Sequence, residues 1–248
     1  MKRLPLLKID RTHKRTVFIA DLHLSGNRPD INSAFKTFIQ SQRELDALFI
    51  MGDLFEYWIG DDIAEPFALE VAQLIKQASS RFPIYYTHGN RDFLIDNSFA
   101  QLSGMTLLPE VQKIDLYGRQ AIVAHGDSLC TDDHDYQKFR RFRNQKWARW
   151  LYLHLPKKRR QKIADGIREN SASSKQGKTL EIMDVNASAV EATLNQYQAQ
   201  LLIHGHTHRP FLHDLKDGRK RWVVGDWYQQ TSALVVSDTD AQLISSEL

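Results

Sequence analysis

Five short, mostly apolar runs set the rhythm of this chain: Val17 to Ala20, Leu48 to Met51, Ile84 to Tyr86, Ala121 to Ala124 and Leu201 to Ile203. Each is soon followed by Gly or Asp. Apolar residues at consecutive positions, rather than alternate ones, predict strands covered on both faces, as in α/β folds. The apolar spacing over Glu65 to Ser80 and Val185 to Gln198 predicts amphipathic helices lying on the sheets, with Asp184 or Asn186 near the start of the second. Near the end, WVVGDW and SALVVS read as strands that complete a sheet. No internal repeat or long linker interrupts the series.

The pattern changes after about residue 134. From Lys138 to Arg168 the chain carries twelve Lys or Arg and a single acid, Asp165. That segment is therefore +11 and the rest of the chain −8, within a total of +3. Phe139, Phe142, Trp147, Trp150, Leu151, Leu153 and Leu155 interleave with these charges, and Pro156 predicts a break between two helices enclosing a pocket. A surface both basic and apolar suits an anionic membrane, where each Lys or Arg contributes on the order of 1 kcal/mol. The same ingredients serve nucleic acid, but WARWLYLHLP is denser in apolar groups than a groove tracking a phosphate backbone needs. The plainest reading makes the aromatics core residues and the charges a solvated helix face. SASSKQGKT, Ser171 to Thr179, reads as a polar loop.

With 248 residues, one domain spanning 1–248 is expected, the basic segment forming a helical cap insertion at about 134–180. The single cysteine, Cys130, reads as a buried small hydrophobe. The opening MKRLPLLKIDRTHKR lacks the apolar stretch of a secretory signal, and no run reaches the roughly 18 apolar residues of a membrane span. A cytosolic-side location with reversible surface attachment is expected.

Chemistry enters at the ends of the five runs. VFIADLHL supplies Asp21 and His23, LFIMGDLFE Asp53, YYTHGNRD Asn90, IVAHGD His125, and LLIHGHTH His206 and His208. Ligands in open α/β sheets gather outside the carboxyl ends of strands. Carboxylate, amide and imidazole donors gathered there suit two close divalent ions, which can clamp the attacking and leaving oxygens of a phosphoryl displacement. One Asp-x-His or Gly-Asp arises readily by chance; five such motifs in order do not. Glycines 52, 89, 126 and 205 allow tight turns and close backbone approach after each strand.

The series Asp-x-His, Gly-Asp, Gly-Asn-Arg-Asp, His-Gly-Asp and Gly-His-Thr-His resembles the calcineurin-like metallophosphoesterases. The longer stretches GDLFEYWIGDD, HGNRDFLI, HGDSLCTDD, IMDVN and IHGHTHRP narrow the likeness to the branch acting on UDP-2,3-diacylglucosamine in lipid A synthesis. The resemblance, which covers roughly Thr16 to Val236, implies an α/β fold of two packed mixed sheets flanked by helices, a two-metal manganese centre and a lipid-binding helical cap. It implies that Asp21, His23, Asp53 and His208 hold one ion, that Asp53, Asn90, His125 and His206 hold the other, and that Asp53 bridges. Zinc, iron or cobalt could bind the same donors.

Catalytic roles fall by resemblance on Asp53, Asn90, Arg91, His125 and His206, and substrate contacts on Asn90, Arg91, Asp133, Ser171, Lys175, Lys178 and His206. Lys175 departs from the pattern, standing where an asparagine is usual. Many metallophosphoesterases place a histidine directly after the ligand asparagine; here Arg91 follows, a permanent cation and a poor proton donor. That choice suits a phosphoanhydride, whose leaving group departs without a proton. The partners implied are the acylated sugar nucleotide and the anionic cytoplasmic face of a bacterial inner membrane, with neither nucleic acid nor an obligate protein partner. A related enzyme for nucleic acid or a soluble nucleotide is the alternative. A non-catalytic scaffold fits poorly with seven intact ligands. The first fifteen residues exceed the short start expected of the family.

His88 and His204, each two residues before a ligand, read as packing or supporting groups, and His13, His134, His154 and His213 carry no motif. Phe55 and Trp58 are expected to pack beneath the metal loop, with Asp61 and Asp62 orienting the ligand histidines.

Overall fold

A computed structural model describes residues 5–176 and 184–248, with 168–176 as backbone alone. Along the chain run β1 (Leu6–Lys8), β2 (Arg15–Ile19), α1 (Pro29–Ser41), β3 (Ala47–Ile50), α2 (Pro66–Ser79), β4 (Ile84–Tyr86), α3 (Asn97–Ser103), β5 (Thr106–Leu107), β6 (Val111–Leu116) and β7 (Arg119–Ala124). There follow α4 (His134–Arg143), α5 (Lys146–Leu153), α6 (Lys157–Gln176), α7 (Ala187–Tyr197), β8 (Leu201–His204), β9 (Phe211–Asp214), β10 (Lys220–Val223), β11 (Gln230–Ser237) and β12 (Ala241–Glu247).

The strands form two mixed sheets, ordered β1-β6-β7-β8-β10-β9 and β12-β11-β2-β3-β4-β5. Parallel neighbours β2, β3 and β4 occupy the second sheet and parallel β7 and β8 the first. Every one of the five runs read from the sequence is a strand of one of these sets. Strand alternation divides each run between two cores. Phe18, Ala20, Phe49 and Met51 meet Ile114, Ala121, Val123 and Ile203 between the sheets. Val17, Ile19, Leu48 and Ile50 pack outward with Ile31, Phe35, Val71, Ile75 and Phe99 of the first three helices. Ile122 and Leu202 pack outward against Val190 and Leu194 of α7. The layers are therefore helix, sheet, sheet, helix.

The two expected helices stand at α2 and α7. Pro66 opens α2 at its first turn, where the missing N–H costs nothing. Asn186 caps α7, its Oδ1 accepting from Ala189 N at 3.1 Å. The long leading segment also finds a use: Leu6–Lys8 adds an edge strand parallel to β6.

Two expectations are corrected. WVVGDW and SALVVS do not complete one sheet: Trp222 and Val223 end β10 of the first sheet, and Ser232 to Ser237 belong to β11 of the second. Gly225 and Asp226 lie on the crossing between them. The polar stretch from Ser171 is not all loop, since α6 runs on to Gln176. No Gly or Pro stands between Gly166 and Gly177, and Ala, Lys, Gln and Glu there favour helix. The side chains of Ser171 and Lys175, and the whole of Lys178, lie outside the described residues.

Helices α4, α5 and α6 are inserted between β7 and β8. Their aromatic residues divide between two roles. Tyr152 and Leu153 pack against the helical core layer. Phe142, Trp147, Trp150 and Leu151 are each more than half exposed. The basic residues divide as well. Arg143 and Arg160 are buried, Arg160 donating to Asp62 Oδ1 at 2.8 Å and to Ile59 O at 3.0 Å. Arg140 pairs with Asp127 at 3.0 Å and also with Glu110. These arginines fasten the insertion to the body, while Arg141, Lys146, Lys158, Arg159 and Lys162 face outward. Among the described residues no helix is long and apolar enough to cross a membrane.

Candidate metal centre

All seven sequence-derived ligands converge where the carboxyl ends of β2, β3 and β4 meet those of β7 and β8. The strand pairing continues into the loops: Asp21 N donates to Gly52 O at 3.1 Å, His23 N to Asp53 O at 2.9 Å, and Gly205 N to His125 O at 2.9 Å. Asp21, His23, Asp53, His206 and His208 all have φ between 50° and 69°. A left-handed backbone at a non-glycine residue costs on the order of 1 kcal/mol or more. Five of seven ligands adopt it, so the loops are held in this shape by their surroundings. Gly52 and Gly89 show how tightly: a Cβ on Gly52 would meet Gly89 Cα at 2.6 Å, and one on Gly89 would run into Asp53 Oδ1.

The donors form two groups sharing Asp21: Asp21, His23 and His208, and Asp21, Asp53 and His125. His23 Nε2 stands 3.5 Å from His208 Nε2. His125 Nε2 stands 3.1 Å from both Asn90 Oδ1 and His206 Nδ1. Since His125 Nδ1 lies 2.9 Å from Met51 O, one ring proton belongs there, and a deprotonated Nε2 and the Asn90 oxygen would both be acceptors. Two such acceptors repel unless a proton or a metal ion lies between them. Asp21 Oδ1, wholly buried, has no hydrogen-bond partner, with His208 Nε2 3.4 Å away. This donor set fits divalent ions.

Electrostatics agree. Burial pulls the His125 imidazole down, yet Asp53, Asp21 and Asp127 together raise it to about 9, so positive charge is favoured at this point. Burial and the neighbouring His125 hold His206 down at about 3, leaving a neutral imidazole able to ligate. Burial would raise Asp21, but His208, His125 and His23 outweigh it and keep the carboxylate ionised. Burial pushes Asp53 up against the pull of His125 and His23.

Each carboxylate has one oxygen taken by a main-chain amide and the other turned toward the imidazoles. Asp21 Oδ2 accepts from His206 N at 2.7 Å, and Asp53 Oδ1 accepts from Arg91 N at 2.7 Å. Asp53 Oδ2 then faces both groups, 4.0 Å from His23 Nε2 and 3.8 Å from His125 Nε2.

Asp61 and Asp62 do not orient the histidines. Asp61 accepts from Trp58 Nε1 and from the Asp96 and Phe99 amides, and Asp62 holds Arg160. Their side chains serve the loop packed on Phe55, Trp58 and Phe99. The orienting role falls to residues the sequence did not single out. Glu56 Oε2 lies 3.1 Å from His23 Nδ1, and Glu56 Oε1 accepts from Arg91 Nη1 at 3.2 Å. Asp226 lies 3.6 Å from His208 Nδ1. Tyr228 stacks on His23 with centroids 4.9 Å apart and donates to Glu56 at 3.2 Å. Asp92, fully buried, accepts from the amides of Asp53, Leu54, Phe55 and Gly89, clamping the two ligand loops together.

The remaining expected residues separate clearly. Asp133 caps α4 by accepting from Tyr136 N at 3.1 Å. His88 bonds Ile95 O and His204 lies between Gly205 O and Arg221, so both are supporting groups. Burial pushes the Cys130 thiol up to about 12, consistent with an inert small hydrophobe. A cavity of about 320 Å³ opens beside the His208 loop, lined by Asp184, Thr207, Arg209, Phe211, His213 and Arg221.

These features define a metal-dependent phosphoesterase, and the chain belongs to the calcineurin-like phosphoesterase family, whose model matches residues 14–210. As a member it carries a divalent-metal centre, for which the grouped carboxylates and imidazoles are the ligands at hand. Among curated proteins it is similar to UDP-2,3-diacylglucosamine hydrolase of Shewanella piezotolerans, 58% identical over 231 residues, covering 93% of this chain and 97% of the relative. Similar proteins of the same name occur in Shewanella halifaxensis, at 57% identity with the same coverage, and in Shewanella loihica, at 55% over 93% of this chain and 96% of the relative.

Proposed function

We propose that this protein hydrolyses the diphosphate of UDP-2,3-diacylglucosamine, giving UMP and 2,3-diacylglucosamine 1-phosphate for lipid A biosynthesis. One juxtaposition carries the reading: a buried metal-ligand cluster stands beside an inserted helical cap whose exposed side chains are Phe142, Trp147, Trp150 and Leu151. A soluble nucleotide gives no reason to expose four large apolar groups there, whereas acyl chains do. The names of the Shewanella relatives support the same substrate.

Asp21, His23 and His208 would hold one ion and Asn90, His125 and His206 the other, with Asp53 shared between them. Two divalent ions there, manganese by resemblance to the family, would supply Lewis acidity and an activated water at neutral pH. Arg91, steadied by Glu56, would hold a diphosphate oxygen. It need not donate a proton, because a phosphate monoester with a second pKa of about 6 leaves as an anion. The cap at about 134–180 would take the acyl chains, with Asp133, Ser171, Lys175 and Lys178 touching substrate. The cavity at Arg209 and Phe211 offers room and donors for the uridine half. On this reading the whole chain works as one domain, resting peripherally on the cytoplasmic face of the inner membrane through the outward lysines and arginines of the cap.

The test offers purified protein with manganese the acylated sugar nucleotide, its deacylated form and single-stranded DNA in parallel. Turnover should be fastest on the acylated nucleotide by tenfold or more. DNA cleavage outrunning it would contradict the proposal.

A further inference from the structure

Helix α4 does more than begin the cap. Arg143, at its last turn, is 6% exposed and reaches back into the body. Its Nη1 donates to the main-chain carbonyl of Asn90 at 2.7 Å, and its Nη2 donates to Asp127 Oδ2 at 3.0 Å and to the Tyr136 hydroxyl at 3.1 Å. The guanidinium lies 4.5 Å from the centroid of Phe93, three residues beyond Asn90. Asp127, two residues after His125, is itself buried and accepts from Tyr136 OH at 2.7 Å and Arg140 Nε at 3.0 Å. Tyr136 then stacks over His206, centroids 6.2 Å apart and planes 28° apart.

The residues on which α4 acts are therefore Asn90, the turn following His125, and His206. Asn90 and His206 are ligands proposed for the second ion, and the turn follows directly on a third, His125. None of these contacts reaches His23 or His208, which are oriented instead by Glu56, Tyr228 and Asp226. The two ions are thus supported by different parts of the chain.

Asn90 is the most dependent of the seven. A neutral amide is a weaker ligand than a carboxylate or imidazole, so its contribution rests on being held in place. The opposite side of its turn is pinned by Arg91 N to Asp53 Oδ1 and by Gly89 N to Asp92 Oδ1. Arg143 closes the remaining side at the Asn90 carbonyl. A planar guanidinium can serve the carbonyl and the Asp127 carboxylate at once, which a lysine ammonium on a single point cannot do as well.

We infer that Arg143 is a positioning residue that builds the second metal site from the cap, making occupancy of that ion depend on the seating of α4. The inference rests on the two-metal reading above. It makes one buried side chain the joint between the cap and the Asn90 turn.

Manganese binding to the full-length, metal-stripped protein tests it, by titration calorimetry and by electron paramagnetic resonance of the bound ion. Wild type should bind two equivalents and show the exchange-coupled signal of a close pair. Arg143→Met should bind the first equivalent within threefold of wild type and the second at least tenfold more weakly, with the coupled signal lost. Arg143→Lys should fall between them. Arg140→Gln is the structural comparison: it breaks pairs of α4 with Asp127 and Glu110 but touches nothing on Asn90, and it should leave second-site affinity within threefold. Melting curves of all variants identify any that fail to fold, and Arg143→Lys keeps the buried charge should the methionine variant do so. Equal second-site affinity in Arg143→Met and wild type would overturn the inference while leaving the two-metal reading intact, as would equal weakening by Arg140→Gln. A wild type that binds a single equivalent would overturn both.

Discussion

Asp53 has one carboxylate oxygen committed to the Arg91 amide and one turned to both imidazole groups, so its loss strips both proposed ion sites at once. Asp53→Ala should lower manganese-dependent turnover by more than tenfold, and by more than alanine at any single histidine ligand. Activity retained within tenfold would rule out the shared role. Melting curves of the metal-free variant and wild type must show that the fold survives, since the change also removes the acceptor of the Arg91 amide. Glu56 gives a second prediction. Burial raises its carboxyl, but His23, Arg91 and Tyr228 overcome this and bring it from 4.5 down to about 2. A depressed folded pKa contributes stability that is complete above the unfolded value and fades as pH falls toward 2. The urea-unfolding free energy of metal-free wild type minus that of Glu56→Gln should be flat above pH 5 and shrink from pH 4.5 downward; a difference independent of pH would refute the assignment. The contrast between Asp53 and Glu56 also shows what was legible. Asp53 sat in a Gly-Asp pair closing an apolar run, and Asp92 and Asp226 stood in motifs of the same kind, Gly-Asn-Arg-Asp and Gly-Asp, that could have marked them; Glu56 and Tyr228 are single polar residues whose partners lie far along the chain. Spacing carries no signal for such contacts.

At the level of elements, strands buried on both faces were the easiest to read, because continuous apolar runs of three or four residues soon followed by Gly or Asp leave few other structures open. Edge strands β1, β5, β9 and β12 were not read. Their burial is partial, and their sequences hold no comparable run. The cap was legible as a composition shift but its charges were not, since sequence cannot tell a buried, paired arginine from a solvated one. Arg140, Arg143 and Arg160 turn inward and must be excluded from any membrane-facing set. Replacing the outward Arg141, Lys146, Lys158, Arg159 and Lys162 with Gln should weaken binding to vesicles containing anionic lipid by tenfold or more, at about 1 kcal/mol for each charge that reaches the surface. Metal content and melting temperature should not change. Salt should reproduce the loss in wild type, as screening over a Debye length of about 8 Å requires. Equal binding of both proteins to neutral and anionic vesicles would exclude electrostatic attachment.

Over the whole molecule, the two sheets bring their carboxyl ends to one place, so that Asp21, Asp53 and Asn90 of one sheet face His125, His206 and His208 of the other. The motifs could announce the chemistry from sequence because every ligand loop follows directly on a rigid strand. They could not announce how the cap joins that centre, because the joint is made by α4 side chains and main-chain carbonyls. If Arg91 holds a diphosphate oxygen without donating a proton, as proposed, solvent would attack the phosphorus bearing uridine and the acylated sugar would leave as its 1-phosphate. The most direct test is hydrolysis of UDP-2,3-diacylglucosamine in oxygen-18 water with manganese, followed by mass spectrometry of both products. One heavy oxygen should appear in UMP and none in the sugar phosphate. Label in the sugar phosphate instead, or no cleavage of the diphosphate at all, would contradict the account.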